Sequence, residues 1–365
     1  MALKQPALGI AATALVMAIA LAFVSLFTFP TFSGWVAYFL LCVIPMQVIM
    51  AVTWGSARPV AAAHAPQPAR GLVLTMFSLV VGGVVAALAL AIVGARVTPP
   101  APILAHWVIV SVPVTFWAAI MWGGWPFTKA IKYPMAAGLI MLVACYVVNG
   151  LLFRIFFNYE FMAGAPIYVP SIDPHGLFNG WSALVFYVTA LAAMFLIIAF
   201  DLWPFTTVPA IMQQPVLGAV WTIAALAIGA LAFYIGVTAM HMDVVHFLVA
   251  VSVPFIFGSI VVLNILQNSL FASWRQPVKG LANTVAIVIV GVALSRLYGL
   301  LAPTITGTLN SGPPAYDFEI WLASALLSVT FPFLIFFAEF FQYWPLAKKP
   351  AAAPAASTSA TTSPS

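Results

Sequence analysis

Long apolar runs with almost no charge are the feature that most constrains how this chain folds. A membrane-spanning helix needs about 20 consecutive, mostly apolar residues. Only 5% of this chain is charged, against roughly 25% in soluble domains. We therefore predict an all-α polytopic integral membrane protein whose ten transmembrane helices lie at about residues 8–29, 35–55, 71–95, 105–123, 135–157, 181–203, 216–238, 245–267, 281–302 and 320–343.

Lysine and arginine lie mostly at one end of these spans. When the N-terminus is placed in the cytoplasm, the outer side holds Arg96, Arg154 and Arg296, and the cytoplasmic segments hold Lys4, Arg58, Arg70, Lys129, Lys132, Arg275, Lys279, Lys348 and Lys349. Positive residues favour the cytoplasmic side of a membrane. The sequence thus predicts cytoplasmic N- and C-termini in a bacterial inner membrane. The longest outer loop, at residues 158–180, is rich in turn formers and is predicted to fold over the outer mouth.

A tryptophan, followed closely by proline, marks the cytoplasmic end of every even-numbered span. Successive tryptophans are 71, 78, 71 and 70 residues apart, and they are Trp54, Trp125, Trp203, Trp274 and Trp344. A fixed period indicates an internal repeat. We predict one transmembrane domain, residues 1–348, built from five helical hairpins at about 1–60, 61–130, 131–208, 209–279 and 280–348. Residues 349–365 have no apolar period and are predicted to form a disordered cytoplasmic tail.

Proline recurs inside four even-numbered spans. A proline within a helix frees a backbone carbonyl and kinks the helix, and these prolines are Pro45, Pro113, Pro254 and Pro332. Helices kinked alike are typical of a ring around a central path, as in transporters built from repeats, although close packing of helices also explains kinks. Gln47 and Thr115 each lie two residues after such a proline. We predict that they line the path, the alternative being hydrogen bonds between helices.

Five hairpins with ten spans are similar in outline to the tellurite-resistance and slow-anion-channel family, which also has five hairpins around a pore. The kinking prolines of that family lie in the odd spans, whereas those of this chain lie in the even spans. No motif is shared, so the resemblance implies an arrangement of helices and no particular solute.

Two acidic residues lie near the cytoplasmic ends of even-numbered spans. Asp201 lies two residues before Trp203, and Glu339 lies five residues before Trp344, roughly 7 Å deeper at 1.5 Å per residue. An ionisable residue inside a span is a candidate functional residue. We predict that Glu339 and Asp201 handle protons or solute. The alternative for Glu339 is that it extends toward the basic residues near the C-terminus, Lys348 and Lys349.

Histidines collect on the predicted outer side. They are His106, His175, His241 and His246, and Asp243 lies between the last two. Imidazole and carboxylate groups bind copper and iron, and imidazole is an axial ligand of haem. These residues therefore form an alternative candidate site for copper, iron or haem. Hydrogen bonding at the level of the lipid headgroups explains each histidine taken singly.

Motifs of soluble catalysis are absent from the sequence. It contains no Walker loop, G-x-S-x-G, H-E-x-x-H or C-x-x-C, which excludes ATP-driven transport by this chain alone. The sequence contains no basic, aromatic-rich patch of the kind that nucleic-acid binding requires. Cys42 and Cys145 lie inside apolar runs and do not form a disulfide framework.

These observations lead to three hypotheses about function. We predict a permease or channel, rather than an enzyme, for a small solute that is neutral or weakly charged, because buried charges are few. This hypothesis needs no cofactor. Its partners are the lipid bilayer and the solute, with a homo-oligomer or partner subunits left open. The second hypothesis is a metal- or haem-binding membrane subunit of an oxidoreductase, and the third is an assembly or scaffolding subunit.

Overall fold

Ten long helices form the molecule, which confirms the predicted fold class. The computed structural model describes residues 3–55, 58–165 and 167–347, so the predicted tail, with Lys348 and Lys349, lies outside the described residues. We name the spans α1 to α10 in chain order; they run over Ala7–Val24, Phe29–Val52, Ala69–Ile92, Pro102–Met121, Pro134–Phe156, Gly180–Ala199, Val216–Ala239, Val244–Ile265, Val278–Thr306 and Asp317–Phe340. Each is long and apolar enough to cross a bilayer.

Local sequence determines where many of the spans begin. Pro30, Pro102 and Pro134 lie in the first turn of α2, α4 and α5, where the missing N–H needs no partner. Asn179 and Asp243 accept hydrogen bonds from the first free N–H groups of α6 and α8. The first span ends at Val24 and not near residue 29 as predicted. The next helix already begins at Phe29, with Pro30 in its first turn.

The even-numbered spans form an inner ring, and the odd-numbered spans surround it. In an apolar stretch of 18 residues taken from each span, between 67% and 78% of the residues are buried in the even spans, against 22% to 44% in the odd spans. Each even span contacts the next even span, and α10 contacts α2, which closes the ring. Each odd span lies in the groove between two neighbouring even spans; α3, for example, contacts both α2 and α10. We call the end at which the even spans begin the outer end, and the opposite end the inner end.

A Gln-Pro-x-x-Gly pattern begins four of the odd spans. The Gln side-chain oxygen accepts a hydrogen bond, at 3.0–3.2 Å, from the N–H of the glycine four residues later; the glutamines are Gln5, Gln67, Gln214 and Gln276. The amides of the first three donate to carbonyls at the inner ends of even spans, those of Ile265, Phe340 and Met121. The same local contact therefore recurs at the start of four odd spans, and the fivefold repeat stays a prediction.

Glycines let the odd-numbered spans approach the inner ring closely. A Cβ on Gly291 of α9 would lie 2.0 Å from the carbonyl oxygen of Pro254. A Cβ on Gly82 of α3 would lie 2.5 Å from Val43, and a Cβ on Gly229 of α7 would lie 2.9 Å from Ala190. Small residues at such crossings are typical of helix packing in membranes, where van der Waals contact stabilises association.

The connections between spans contain only short regular elements. Two-residue strands, β1 at Phe157–Asn158 and β2 at Phe178–Asn179, pair in parallel and join the two ends of the longest outer loop. Short helices lie at Val60–Ala63, Phe127–Ala130, Glu160–Met162, Pro170–Ile172, Phe205–Thr207 and Pro209–Met212. The ring of spans therefore holds the core of the molecule, and the outer loop is positioned to reach its outer end.

Candidate functional site

The five inner spans enclose a central cavity of about 100 Å³. All five contribute lining residues. The residue directly before each of the four mid-span prolines lies in this lining; they are Ile44, Val112, Val253 and Phe331. The prolines that are predicted to kink these spans therefore lie at the level of the cavity. Pro113 also lines it, whereas Pro45, Pro254 and Pro332 are not among its lining residues.

The lining of the central cavity is almost wholly apolar. Among the described residues, its polar side chains are those of Ser324 and Ser328, both on α10. Phe116, Phe195 and Phe331 lie nearest the inner end of their helices within the lining. The ring centroid of Phe116 is 5.6 Å from that of Phe195 and 6.2 Å from that of Phe331. We name these three residues the phenylalanine floor, since they lie at the end of the lining that is nearest the inner end.

A larger cavity of about 400 Å³, which we name the outer vestibule, adjoins the central cavity at the outer end. The two cavities are adjacent, and they share the lining residues Leu41, Ile109, Leu184, Leu248, Ala323 and Ser324. Polar and aromatic groups in the vestibule lining include Tyr38, His106, Trp181 and Glu319. The lining contains no lysine or arginine in the part of the chain that the structure describes.

The outer loop between α5 and α6 reaches this vestibule through Tyr159 and Ile167. The Tyr159 hydroxyl lies 2.8 Å from Nδ1 of His106, and Ile167 lines the vestibule. Asp173, which is buried, accepts hydrogen bonds from the N–H groups of Tyr159 and His175. Burial and the nearby Asp173 charge raise the pKa of Tyr159 well above its usual value, so the phenol keeps its proton at neutral pH. The loop therefore contacts the vestibule, and its folding over the outer mouth stays a prediction.

The candidate metal ligands are dispersed rather than gathered at one site. Nδ1 of His175 lies 2.9 Å from a carboxylate oxygen of Glu160 at an exposed position. Asp243 caps α8, accepting from the backbone N–H of His246 at 2.9 Å, and His241 is exposed. Within residues 3–55, 58–165 and 167–347, no group of three or more His, Cys, Asp or Glu side chains is arranged to hold a metal ion.

Gln47 and Thr115 are buried outside the lining of the central cavity. The Gln47 amide donates to the carbonyl of Pro332 at 3.2 Å, and the Thr115 hydroxyl donates to the carbonyl of Ser111 at 2.8 Å. Gln47 therefore makes a hydrogen bond between helices, the alternative to lining a path, whereas the hydrogen bond of Thr115 lies within α4. Oε1 of Gln47 has no hydrogen-bond partner among the described residues.

Glu339 lies at the inner end, beside α8. Its carboxylate accepts a hydrogen bond from the Asn264 amide at 3.1 Å. It also lines a cavity of about 50 Å³ together with Trp54 and Arg58. Nη1 of Arg58 is buried there without a hydrogen-bond partner among the described residues. The cavity is large enough for water and offers polar groups to bind it, which fits the role in proton or solute handling predicted for Glu339.

Asp201 forms an ion pair at the surface of the inner end. Its carboxylate lies 2.7 Å from the Lys279 ammonium group and accepts hydrogen bonds from Gln276 and Asn268. Burial would raise the pKa of Asp201, but the hydrogen bonds and charge of Lys279, with the two amides, outweigh it and lower that pKa. The contacts of Asp201 are those of a structural anchor between α6 and the start of α9.

Glu319 and Ser324 are site residues that the sequence did not single out. Both lie in the first turns of α10, and both line the vestibule. The available signal was weak: Glu319 stands next to a long apolar run, but so do other outer acids such as Asp317. Only the arrangement of the five helices shows which of these side chains lies beside the cavity.

Comparisons with known proteins return no match: no family model, no curated protein and no solved structure is similar to this chain. The resemblance in outline to the tellurite-resistance and slow-anion-channel family therefore carries no argument about function. Function has to be inferred from the geometry of the central cavity and the outer vestibule.

Proposed function

We propose that this protein is a permease or channel for a small solute that is neutral or weakly charged. The observation that carries the proposal is the pair of adjacent cavities, the vestibule and the central cavity, which share lining residues from all five inner spans. Proteins with inner helices kinked alike around a midplane cavity are commonly transporters. The phenylalanine floor fits a closed state in which solute enters from the outer end. The bias of Lys and Arg supports an orientation with that end outward, in a bacterial inner membrane.

The lining of the central cavity supports a solute without full charge. An ion that enters an apolar cavity loses its hydration without gaining ligands, which costs several kcal/mol or more. The hydroxyls of Ser324 and Ser328 offer hydrogen bonds but no charge. A small uncharged molecule with one polar group is the solute that such a lining favours.

Chemical modification of Ser324→Cys tests the proposal, because Ser324 lines both the vestibule and the central cavity. The protein would be reconstituted in liposomes, and the influx of glycerol, urea and methylamine would be measured by stopped-flow light scattering. We expect flux of at least one solute, and we expect a small thiol-reactive methanethiosulfonate reagent to block it in the variant. The native cysteines, Cys42 and Cys145, are buried, so the wild type should keep its flux.

Ser25→Cys is the matched control, because Ser25 is exposed at the outer end of α1 and does not line either cavity. Its modification should leave flux unchanged. The proposal is wrong if no solute crosses faster than through protein-free liposomes, or if complete modification of Ser324→Cys leaves flux at the unmodified rate.

A further inference from the structure

One buried carboxylate in the outer vestibule has no cation to balance it among the residues that the structure describes. Glu319 is only 4% exposed and lines the vestibule. The hydroxyl of Ser311 and the N–H of Gly312 donate hydrogen bonds to it. Among the described residues, the ion pairs involve Glu160, Asp173 and Asp201, and none includes Glu319.

A carboxylate in this position favours a positive ligand. Removing a charge from water is costly unless an opposite charge accompanies it, and the partners of Glu319 are neutral dipoles. The vestibule lining includes no lysine or arginine within the described ranges. His106 is the other titratable group of the lining besides the phenol of Tyr38, and its Nδ1 is engaged by Tyr159. The vestibule therefore has room and charge for a cation.

Aromatic side chains in the same lining strengthen this preference. Tyr38 and Trp181 line the vestibule with Glu319. The Tyr38 hydroxyl is already used, since it donates to the carbonyl of Ala86 at 2.7 Å. An aromatic face attracts an ammonium group within about 6 Å of the ring. A carboxylate combined with aromatic walls suits a protonated amine better than a strongly hydrated metal ion, which requires several oxygen ligands.

We propose that the outer vestibule binds a small protonated amine, with Glu319 as its counter-ion. The consequence of this binding for transport rests on the proposed function. The apolar central cavity next to the vestibule excludes the charged form of the amine. The amine leaves its proton with water at the outer end and continues as the neutral base. The cavity of about 400 Å³ holds the hydrated cation, whereas the central cavity of about 100 Å³ accepts a molecule of the size of methylamine. The transported class would then be small weak bases.

Binding of methylammonium chloride to the purified protein in nanodiscs tests the proposal. Isothermal titration calorimetry would be performed against sodium chloride at the same ionic strength. We expect saturable binding of methylammonium by the wild type and at least tenfold weaker binding by Glu319→Gln. The glutamine keeps an oxygen acceptor for Ser311 and Gly312. Trp181→Leu should also weaken binding, and it reports on the site if Glu319→Gln does not fold.

Glu160→Gln is the matched control, because Glu160 is an exposed outer carboxylate that does not line the vestibule. It should bind methylammonium as tightly as the wild type. Absence of binding, or equal binding by the wild type, Glu319→Gln and Trp181→Leu, overturns the inference. Flux of glycerol or urea without methylammonium binding would contradict the cation site but agree with the transport proposal. Methylammonium binding without flux of any solute would contradict the transport proposal but agree with the cation site.

Discussion

The side chain of Asp201 accepts a glutamine hydrogen bond that backbone carbonyls accept in other hairpin units. The amides of Gln5, Gln67 and Gln214 donate to main-chain carbonyls at the inner ends of even spans. In the corresponding place Gln276 donates to the carboxylate of Asp201, at 2.8 Å. Asp201 thus joins α6 to α9 with a charged group, and its contribution to stability depends on pH.

The stabilisation by Asp201 should disappear in acid. Because its pKa in the folded protein lies below the ordinary value of 3.8, the contribution is complete above pH 3.8 and is lost as the pH falls through the lowered pKa. The pair is partly exposed, so the contribution should be below about 1 kcal/mol. Thermal unfolding of the wild type and of Asp201→Asn in detergent, at pH 7 and at pH 3, measures this. A difference in Tm that grows on acidification would contradict the prediction.

At the scale of the helix, the contact between α8 and α9 depends on the absence of side chains. A Cβ on Gly291 would lie 2.0 Å from the backbone carbonyl oxygen of Pro254, and a Cβ on Gly258 would lie 2.1 Å from that of Ile287. Both obstructing atoms belong to the backbone and cannot rotate away. The two helices would have to separate to accept even a methyl group.

Gly291→Ala should therefore destabilise the protein by about 2 kcal/mol or more, the usual cost of overpacking a tight contact. Gly150→Ala is the control, because no atom lies within 4 Å of the corresponding Cβ. Alanine favours a helix over glycine by about 0.8–1.0 kcal/mol, so Gly150→Ala should be neutral or stabilising. Thermal unfolding in the same detergent compares the two variants. Equal Tm values for both would show that α8 and α9 do not approach as closely as the structure shows.

At the scale of the whole molecule, the inner ring surrounds two adjacent cavities, with the larger vestibule toward the outer end. The vestibule and central cavity share lining residues from all of the even spans. At the inner end of the lining, the ring of Phe116 contacts the rings of both Phe195 and Phe331. Under the proposed function, passage to the inner end requires these rings to separate.

Phe116→Ala should raise solute flux severalfold, because Phe116 contacts both other members of the phenylalanine floor. Phe186→Ala is a matched control, since Phe186 lies on the inner-ring helix α6 but does not line the central cavity. Its flux should equal that of the wild type. Stopped-flow influx into liposomes measures both variants. Reduced or unchanged flux in a folded Phe116→Ala protein would show that the floor does not limit passage.

The sequence by itself determined the ten spans. Length and apolar character are properties of a continuous segment, so they require no knowledge of what packs against it. The mid-span prolines were visible for the same reason. The Gln-Pro-x-x-Gly pattern was equally visible in the sequence, but its meaning depends on carbonyls up to 273 positions away along the chain.

Only the tertiary structure decided which side chains line the cavity. Gln47 and Thr115 were expected there, yet they hydrogen-bond to backbone carbonyls, while Ser324 and Glu319 line the space. The physical reason is that lipid and the interior of this protein are both apolar, so the helices lack the polar face that identifies the exposed side of a soluble helix. The rotation of each helix, and with it the site, is set by contacts between distant spans.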